Sequence, residues 1–593
     1  MKGDAQFYKY IPLSLIMFKE KIIFLLSDVT KLPKEKVELL LEIPPEQTWG
    51  DYAFPCFVLA DPKNYDDMWK DVEKDFFTKK SPVEIASHLK DILIQKIKKI
   101  AELEKIETKG PYLNFFVDKK ALTKNVLEKM HQDYGKGNKK GKIMVEFCHA
   151  NTHKAFHIGH TRNIAIGESI CRILENAGYK VIRVNYQGDV GMHVAKTLWG
   201  YMNLKKLNLS APKKDEGKWL GIVYAKASKA AEDEQTKKEI NEINQKLYAG
   251  DKKLLEIWKK TRQWSIDYFE KEVYPDFDVT FDRFYFESEV EKKGIEMAKK
   301  LLKKDIAKMS DGAIIMDFTK ENLGIFLLLK SDGTPLYSTK DLYLAELQHD
   351  EYNPDVILHI VGSEQKLYFK QLIKTIELFN PKLAKKEQHI SYELVNLPTG
   401  KMKSREGKVI LYDDTREKIK ELVRKEIKKR DVKISDKELE KRTRGISLGA
   451  IKYAMLSQST NKTIIFNEQE IMNFEGETGP YLQYSYARAS SILKKSKLKP
   501  KHTIPQALSS QEISLIKKIA DFPQEIKRSE EKLDPSFIAH YAFILAQTFN
   551  EFYHASKVIG TPQEAFRLKL VDAFRTTIKN ALYLLGIEVM EEM

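Results

Sequence analysis

The spacing of apolar residues changes rhythm several times along the 593-residue chain. From Met1 to about Asp133, helical spacings of three and four alternate with short strand-like runs. Within that stretch Ile11–Leu26, interrupted by Lys19, Glu20 and Lys21, reads as an amphipathic helix rather than a signal peptide. The Gly- and Lys-rich segment Tyr134–Lys142 reads as a linker. Ile143–Cys148 then predicts a short apolar strand, and a polar stretch follows it. Ile166, Ile170, Ile173, Leu174 and Ala177 predict the buried face of a helix that stops at Gly178. A second strand is predicted at Lys180–Tyr186. Strand, helix, strand at this spacing opens a parallel α/β sheet. The same grammar returns as a strand at Val356–Val361, a helix at Glu364–Phe379 and a strand at Ile390–Leu397. A charged helical insertion, roughly Leu198–Lys271, separates the two halves. Beyond about Thr415 strand signals largely vanish, and a helical bundle is predicted with breaks near Ser496–Pro505 and Gly560–Pro562. Four regions follow: 1–133, an α/β region at 134–415, a helical connection at 416–470, and a helical C-terminal domain at 471–593.

Length alone calls for about three or four cores. With 42% hydrophobic and 31% charged residues the chain reads as soluble and globular, not disordered. No run of about eighteen apolar residues occurs, so no membrane association is expected. Cys56, Cys148 and Cys171 lie far apart. That spacing argues against a disulfide framework or a Cys-rich structural zinc site, and fits a reducing cytoplasm. The net charge of +15 fits attraction to a polyanion, and equally a lysine-rich surface with no such partner.

Ligands of an open parallel sheet bind at the carboxyl ends of its strands. The segments after the predicted strands are His149–His160 (HANTHKAFHIGH), Gln187–Gly191, Gly362–Gln365 and Pro398–Lys408. Each is polar and carries glycine, so one composite site is expected on this rim. His157 and His160 fall at a helix start, where unpaired amides favour anions, and both can donate to phosphate oxygens. Gly159 lets a nucleotide approach the backbone. His149, His153, His157 and His160 also have near-helical spacing that could hold a metal. The segment lacks H-E-x-x-H and looks like loop at Asn151 and Thr152, so no metal ligands are assigned. Lys401, Lys403, Arg405 and Lys408, beside Gly400 and Gly407, form either a solvated hairpin or a cationic lid. Such a lid would neutralise a triphosphate as pyrophosphate leaves.

An H-I-G-H helix start and a KMSKS-like loop on a Rossmann-type sheet together resemble the class I aminoacyl-tRNA synthetases. Finer text resembles the arginyl branch: Val145–Asn163, Ser331–Ala345 (SDGTPLYSTKDLYLA), His359–Leu372, Glu477–Ile492, and, nearer the start, Thr48–Ala60 and Lys109–Asp118. The resemblance runs from about Thr48 to the last residue. It implies a Rossmann-type parallel-sheet catalytic domain, an N-terminal α+β domain that touches the outer corner of the tRNA, and a C-terminal all-α anticodon-binding bundle. It also implies ATP-dependent formation of arginyl-adenylate, transfer to the 2′-hydroxyl of tRNA-Arg, and tRNA bound before arginine is activated. Magnesium is expected with ATP, and a monomer is expected.

Carried over by position, the resemblance gives the phosphates to His157, His160, Lys154 and Lys401, with Gly159, Gly362, Met402, Ser404 and Arg405 around the nucleotide. Ser404 stands where a second lysine is commonly missing, and Lys154 is the substitute. Arginine would be held by Glu146, Asn151, Asp189, Glu287, Tyr337, Asp341 and Gln365. A planar, permanently charged guanidinium needs carboxylates placed for paired hydrogen bonds, which falls to Asp341 and Glu287. Tyr337 is expected at a strand end. Cys148-His149-Ala150, His193 and Glu406 depart from the family's pattern. In the bundle, Tyr481, Tyr484 and Arg488 are candidates for stacking with anticodon bases, while Phe549, Phe552 and Tyr553 read as structural. Two other functions compete: an HxGH-type nucleotidyltransferase for a small molecule, and a non-catalytic RNA-binding paralogue.

Overall fold

A computed structural model of the chain describes residues 13–60, 77, 79–97, 102–396, 410–473 and 476–593. Its centre is a five-stranded parallel sheet: β1 (Lys142–Glu146), β2 (Lys180–Gln187), β3 (Arg283–Phe286), β4 (Val356–Gly362) and β5 (Glu387–Tyr392). The spatial order is β5-β4-β1-β2-β3, with every neighbouring pair parallel. That order reverses direction between β1 and β4, the switch point where such sheets open a crevice.

Helix α1 (Ile158–Ala177) follows β1 and is buried along most of its length, ending at Gly178, which takes the left-handed conformation (φ 108°). The insertion comprises α2 (Met192–Met202) and further helices at Glu216–Ala230, Glu234–Tyr248 and Lys252–Tyr268, so it begins a few residues earlier than its charge pattern suggested. Helix α3 (Glu287–Lys303) leads to a three-stranded antiparallel sheet (Lys308–Ser310, Ala313–Phe318, Gly324–Leu329) with its own apolar core. Helix α4 (Tyr337–Tyr352) is pinned to that sheet, because Ser338 and Thr339 donate to the carbonyls of Leu327 and Leu328. Helix α5 (Lys366–Phe379) follows β4 after a short 3-10 turn at Ser363–Gln365.

Three expectations need correction. The first strand ends at Glu146, because Cys148 (φ 80°) and His149 (φ 52°) turn the chain out of the sheet. The strand expected at Ile390–Leu397 is two pieces. β5 stays in the main sheet, whereas Val395–Asn396 pairs with Ile464–Ile465 elsewhere. Tyr337 opens a helix instead of closing a strand, which puts it one turn from Asp341 on the same face of α4.

The C-terminal region is helical, with α6 (Gly479–Lys495), α7 (Ser510–Lys532), α8 (Ser536–Ala555) and α9 (Glu564–Leu584) around a core that includes Phe549 and Phe574 stacked at 3.8 Å. The N-terminal α+β unit has an antiparallel sheet of Tyr52–Pro55, Tyr112–Val117 and Leu103–Lys109. Its helix Leu13–Thr30 packs against α7, and Asp51 pairs with Lys517 at 2.5 Å. Among the described residues, no helix is long and apolar enough to cross a membrane.

Candidate active site

His157 caps α1. Its Nδ1 accepts the amide of Gly159 (3.2 Å), and Nδ1 of His160 accepts the amide of His157 (3.3 Å). A backbone amide only donates, so both Nδ1 atoms are acceptors and each neutral ring carries its proton on Nε2. The two rings stack at 3.7 Å, so they form adjacent N–H donors at a helix N-terminus. Burial, with the charge of Lys154, holds the His157 imidazole down at about 4; burial and its neighbours His157 and Lys154 put His160 well below the usual range. Both rings are therefore neutral donors at physiological pH. Lys154 supplies the positive charge beside them, its ammonium 5.4 Å from the ring centre of Tyr224 on the insertion.

His153 does not join this pair. It is fully buried, and its two ring nitrogens meet the hydroxyls of Thr152 (2.9 Å) and Thr261 (2.8 Å). His193 lies against the Gly188 carbonyl at 3.2 Å.

Lys401, Met402, Ser404 and Arg405 lie outside the described residues, but both flanks of their segment are anchored at α1. On the later flank, the Ile158 amide donates to Ile410 (3.1 Å) and the Tyr412 amide to Phe156 (3.0 Å). On the earlier flank, buried Arg162 of α1 donates to the carbonyl of Glu393 (2.5 Å) and more weakly to that of Leu394, and it also reaches the carbonyls of Lys462 (2.9 Å) and Ser459 in a later turn. Gly362 is buried at the end of β4, and Gln365 is exposed in the turn after it.

An acidic cluster is drawn from β1, α3 and α4. Glu146 closes β1 and is buried; its Oε2 accepts from Gln348 (2.5 Å) and its Oε1 lies 3.0 Å from Nδ1 of His359. Glu287, the first residue of α3, pairs with buried Lys340 (2.8 Å), which also reaches Glu291 (3.3 Å). Burial raises the Glu287 carboxyl against the pull of Lys340, and Asp189 and Glu291 add to the rise. Asp341 accepts from Tyr368 through Oδ2 (2.5 Å), while its buried Oδ1 has no protein hydrogen-bond partner. Burial, with the charges of Glu146 and Glu287, pushes the Asp341 carboxyl up to about 7. The buried hydroxyl of Tyr186 also lacks a partner and feels Asp341, Glu287 and Glu146. Carboxylates crowded out of water in this way favour a bound cation.

Gly188 draws the remaining candidates together. Its amide donates to Oδ1 of Asn151 (3.0 Å), and a Cβ there would meet that oxygen at 2.6 Å and Oε1 of Glu287 at 3.2 Å. Asp189 is placed differently. It is fully buried, and its carboxylate is spent on Arg262 (2.8 Å), the Ser288 amide (2.9 Å) and the Ser288 hydroxyl (2.6 Å). It thus fixes the first turn of α3, and with it Glu287, rather than facing the cluster directly. Tyr337 is 60% exposed at the rim.

Several residues here escaped the sequence reading. Arg262 carried no signal, since it is one charge among many in the insertion. His359 did carry one: it is the single polar residue in the run Val356–Gly362, and a buried polar group in a central strand calls for a reason.

In the bundle, Tyr481 bonds Asn550 (2.9 Å) and packs against Phe543, so it is mainly a packing residue. Arg488 lies 4.8 Å from the Tyr484 ring centre and 5.1 Å from that of Tyr553. All three line a cavity of about 730 Å³ that Lys495 and Met593 also border. Tyr553 is therefore not structural in the way Phe549 and Phe552 are: those two are fully buried, whereas it faces this cavity.

A 3-2-1-4-5 parallel sheet with paired imidazole donors at the start of the helix after its first strand, and a cluster of buried acids, defines a class I tRNA synthetase catalytic domain. The model of that domain described as "tRNA synthetases class I (R), catalytic domain" matches residues 122–468. A DALR anticodon binding domain matches 482–593, and the arginyl tRNA synthetase N terminal domain matches 17–117. The arginine–tRNA ligase of Clostridium perfringens is 34% identical over 588 residues, covering 97% of this chain and 100% of that protein. The one from Bdellovibrio bacteriovorus is 34% identical over 569 residues, 93% of each. The solved arginyl-tRNA synthetase of Thermus thermophilus superposes with a TM-score of 0.76 at 26% identity, covering 98% of this chain and 100% of that one. The chain belongs to the arginyl-tRNA synthetase family.

Proposed function

We propose that this chain activates L-arginine with ATP and transfers the arginyl group to the terminal ribose of tRNA-Arg. The observation that carries the reading is the buried acidic cluster of Glu146, Glu287 and Asp341, together with the two stacked imidazole donors at the start of α1. The cluster suits a substrate with two cationic ends. The guanidinium would take the free Oδ1 of Asp341, with Glu287 and Tyr337 beside it, and the α-ammonium would take Glu146 and Asn151, with Gln365 on the carboxylate. The substrate carboxylate then attacks the α-phosphate, and pyrophosphate leaves toward His157, His160, Lys154 and Lys401.

No side chain needs to act as a base on a carboxylate nucleophile, so the work is positioning and charge neutralisation. Among the described residues no three His, Cys, Asp or Glu converge as a metal cage. A magnesium ion that arrives with ATP would add to the charge neutralisation supplied by Lys154 and the imidazole pair. ATP–pyrophosphate exchange across all twenty amino acids, with and without tRNA, tests the reading. Exchange with arginine alone among them, and only when tRNA is present, is expected; exchange independent of any tRNA would favour a small-molecule nucleotidyltransferase.

The cavity of Tyr484, Arg488 and Tyr553 suits a splayed anticodon base, held by stacking and a guanidinium. Arg488→Ala is expected to raise the KM for tRNA by roughly tenfold or more, since base–aromatic and cation contacts are worth about 1–3 kcal/mol. Exchange at saturating tRNA should stay near the wild-type rate. The N-terminal unit is assigned to the outer corner of the tRNA, and a cytoplasmic location fits the reading.

A further inference from the structure

His359 lies between two buried carboxylates on three adjacent strands. Its Nδ1 is 3.0 Å from Glu146 on β1, and its Nε2 is 2.5 Å from Glu387 on β5. The sheet register enforces this contact, because His359 is the direct neighbour of Glu146 across β4 and β1. All three side chains are more than nine-tenths buried. With both carboxyls ionised neither can donate, so both ring nitrogens do and the ring is an imidazolium, the state its two acidic neighbours favour.

Resting on the assignment of Glu146 to the substrate ammonium, we propose that His359 is a positioning residue for arginine: an imidazolium, braced by Glu387, that fixes the Glu146 carboxylate for the α-ammonium. The charges support it. Two carboxylates and one imidazolium leave one net negative charge, which is what a single ammonium requires. Gln348 holds Oε2 and His359 holds Oε1, so Glu146 cannot rotate, yet each oxygen keeps a lone pair for the substrate. Burial alone would lift the Glu146 carboxyl, but the charge and hydrogen bond of His359 outweigh it and hold the group at about 2. Burial likewise opposes charge on His359, and its two carboxylate partners raise it well above the ordinary imidazole value. The other groups that share this field are His149 from the loop after β1, Tyr186 from β2, Asp341 from α4, Tyr368 from α5 and His389 from β5. His389 and His149 are held down by burial first, so neither replaces the charge of His359.

The test is the KM for arginine in exchange at saturating tRNA, measured from pH 6 to 8.5 on the full chain. His359→Gln is expected to raise it about tenfold or more at pH 7.5, with the KM for ATP moving less than about twofold. The ratio of variant to wild-type KM should grow as pH falls, because Glu146 without its cation takes up a proton nearer neutrality. Taking the ratio removes the pH dependence common to both proteins. His359→Lys, which keeps a cation, should restore a ratio that is flat with pH. Should His359→Gln fail to fold by circular dichroism, Glu387→Gln gives the same readout with a smaller rise. A flat ratio with His359→Gln, while Glu146→Gln still weakens arginine strongly, overturns this inference alone. An unchanged arginine KM in Glu146→Gln overturns the assignment beneath it.

Discussion

Asp341→Asn is expected to lower kcat/KM for arginine by roughly 30- to 700-fold, about 2–4 kcal/mol, with little change in the KM for ATP. The oxygen that matters is Oδ1, which is buried and has no protein donor, while Oδ2 is already committed to Tyr368. An amide in this place presents a neutral group to a guanidinium and forfeits the charge-assisted pair. Equal losses for both substrates would mean that Asp341 does not hold the guanidinium.

Two pH effects follow from the same carboxyl. Because burial and its acidic neighbours push Asp341 up to about 7, the free protein carries a proton there below neutrality. The arginine KM should therefore fall as pH rises through about 7, as the carboxylate becomes available. Stability runs the other way. A group whose folded value is raised contributes stability below its ordinary value of 3.8, and that contribution is lost as pH climbs to about 7. Without ligand, Asp341→Asn should melt at a higher temperature than wild type at pH 8, and a lower melting temperature there would contradict the burial argument.

The second large effect is expected from His160→Ala, which should cut the rate of arginine-dependent exchange by about 100- to 1000-fold, the usual loss for one transition-state donor. Its Nδ1 is occupied by the amide of His157, so Nε2–H is the functional end. His160→Gln retains an N–H near that position and should recover part of the rate. Since burial keeps both imidazoles neutral, their titration should leave no acid limb near pH 6.5 in the kcat profile of wild type. A fall in rate as pH rises through that range, absent in His160→Gln, would show that the ring acts as a cation after all.

Much of the architecture was legible because it rests on local signals. The α1 stripe and Gly178, the apolar runs of β1, β2 and β4, and the polar segments after them needed only periodicity and turn chemistry to read. What failed was set by tertiary contact. Nothing local stops the first strand at Glu146; the left-handed turn at Cys148 and His149 is held by Asn163 and Asn185 from elsewhere in the fold. Nothing local splits the last strand either, since Val395–Asn396 leaves β5 to pair with a segment about seventy residues on. The site divides the same way. Glu146, Glu287 and Asp341 came from the family's spacing, and their common field came from the fold. Asp189 matched by position, yet its partners Arg262 and Ser288 turn it into a brace. His359, Gln348 and Lys340 act through residues far away in sequence, which no spacing rule joins.

Arg162 ties the helix start to the turn at Ser459–Lys462, and Asp534, between α7 and α8, grips the same turn through the Ser459 hydroxyl (2.7 Å) and the Thr460 amide (3.3 Å). The bundle and the nucleotide crevice are thus fastened to one short stretch of backbone. Because α1 also packs directly on α7 and α9 within one apolar core, heating should give a single calorimetric transition for the two together, and Asp534→Ala should lower its midpoint without splitting it.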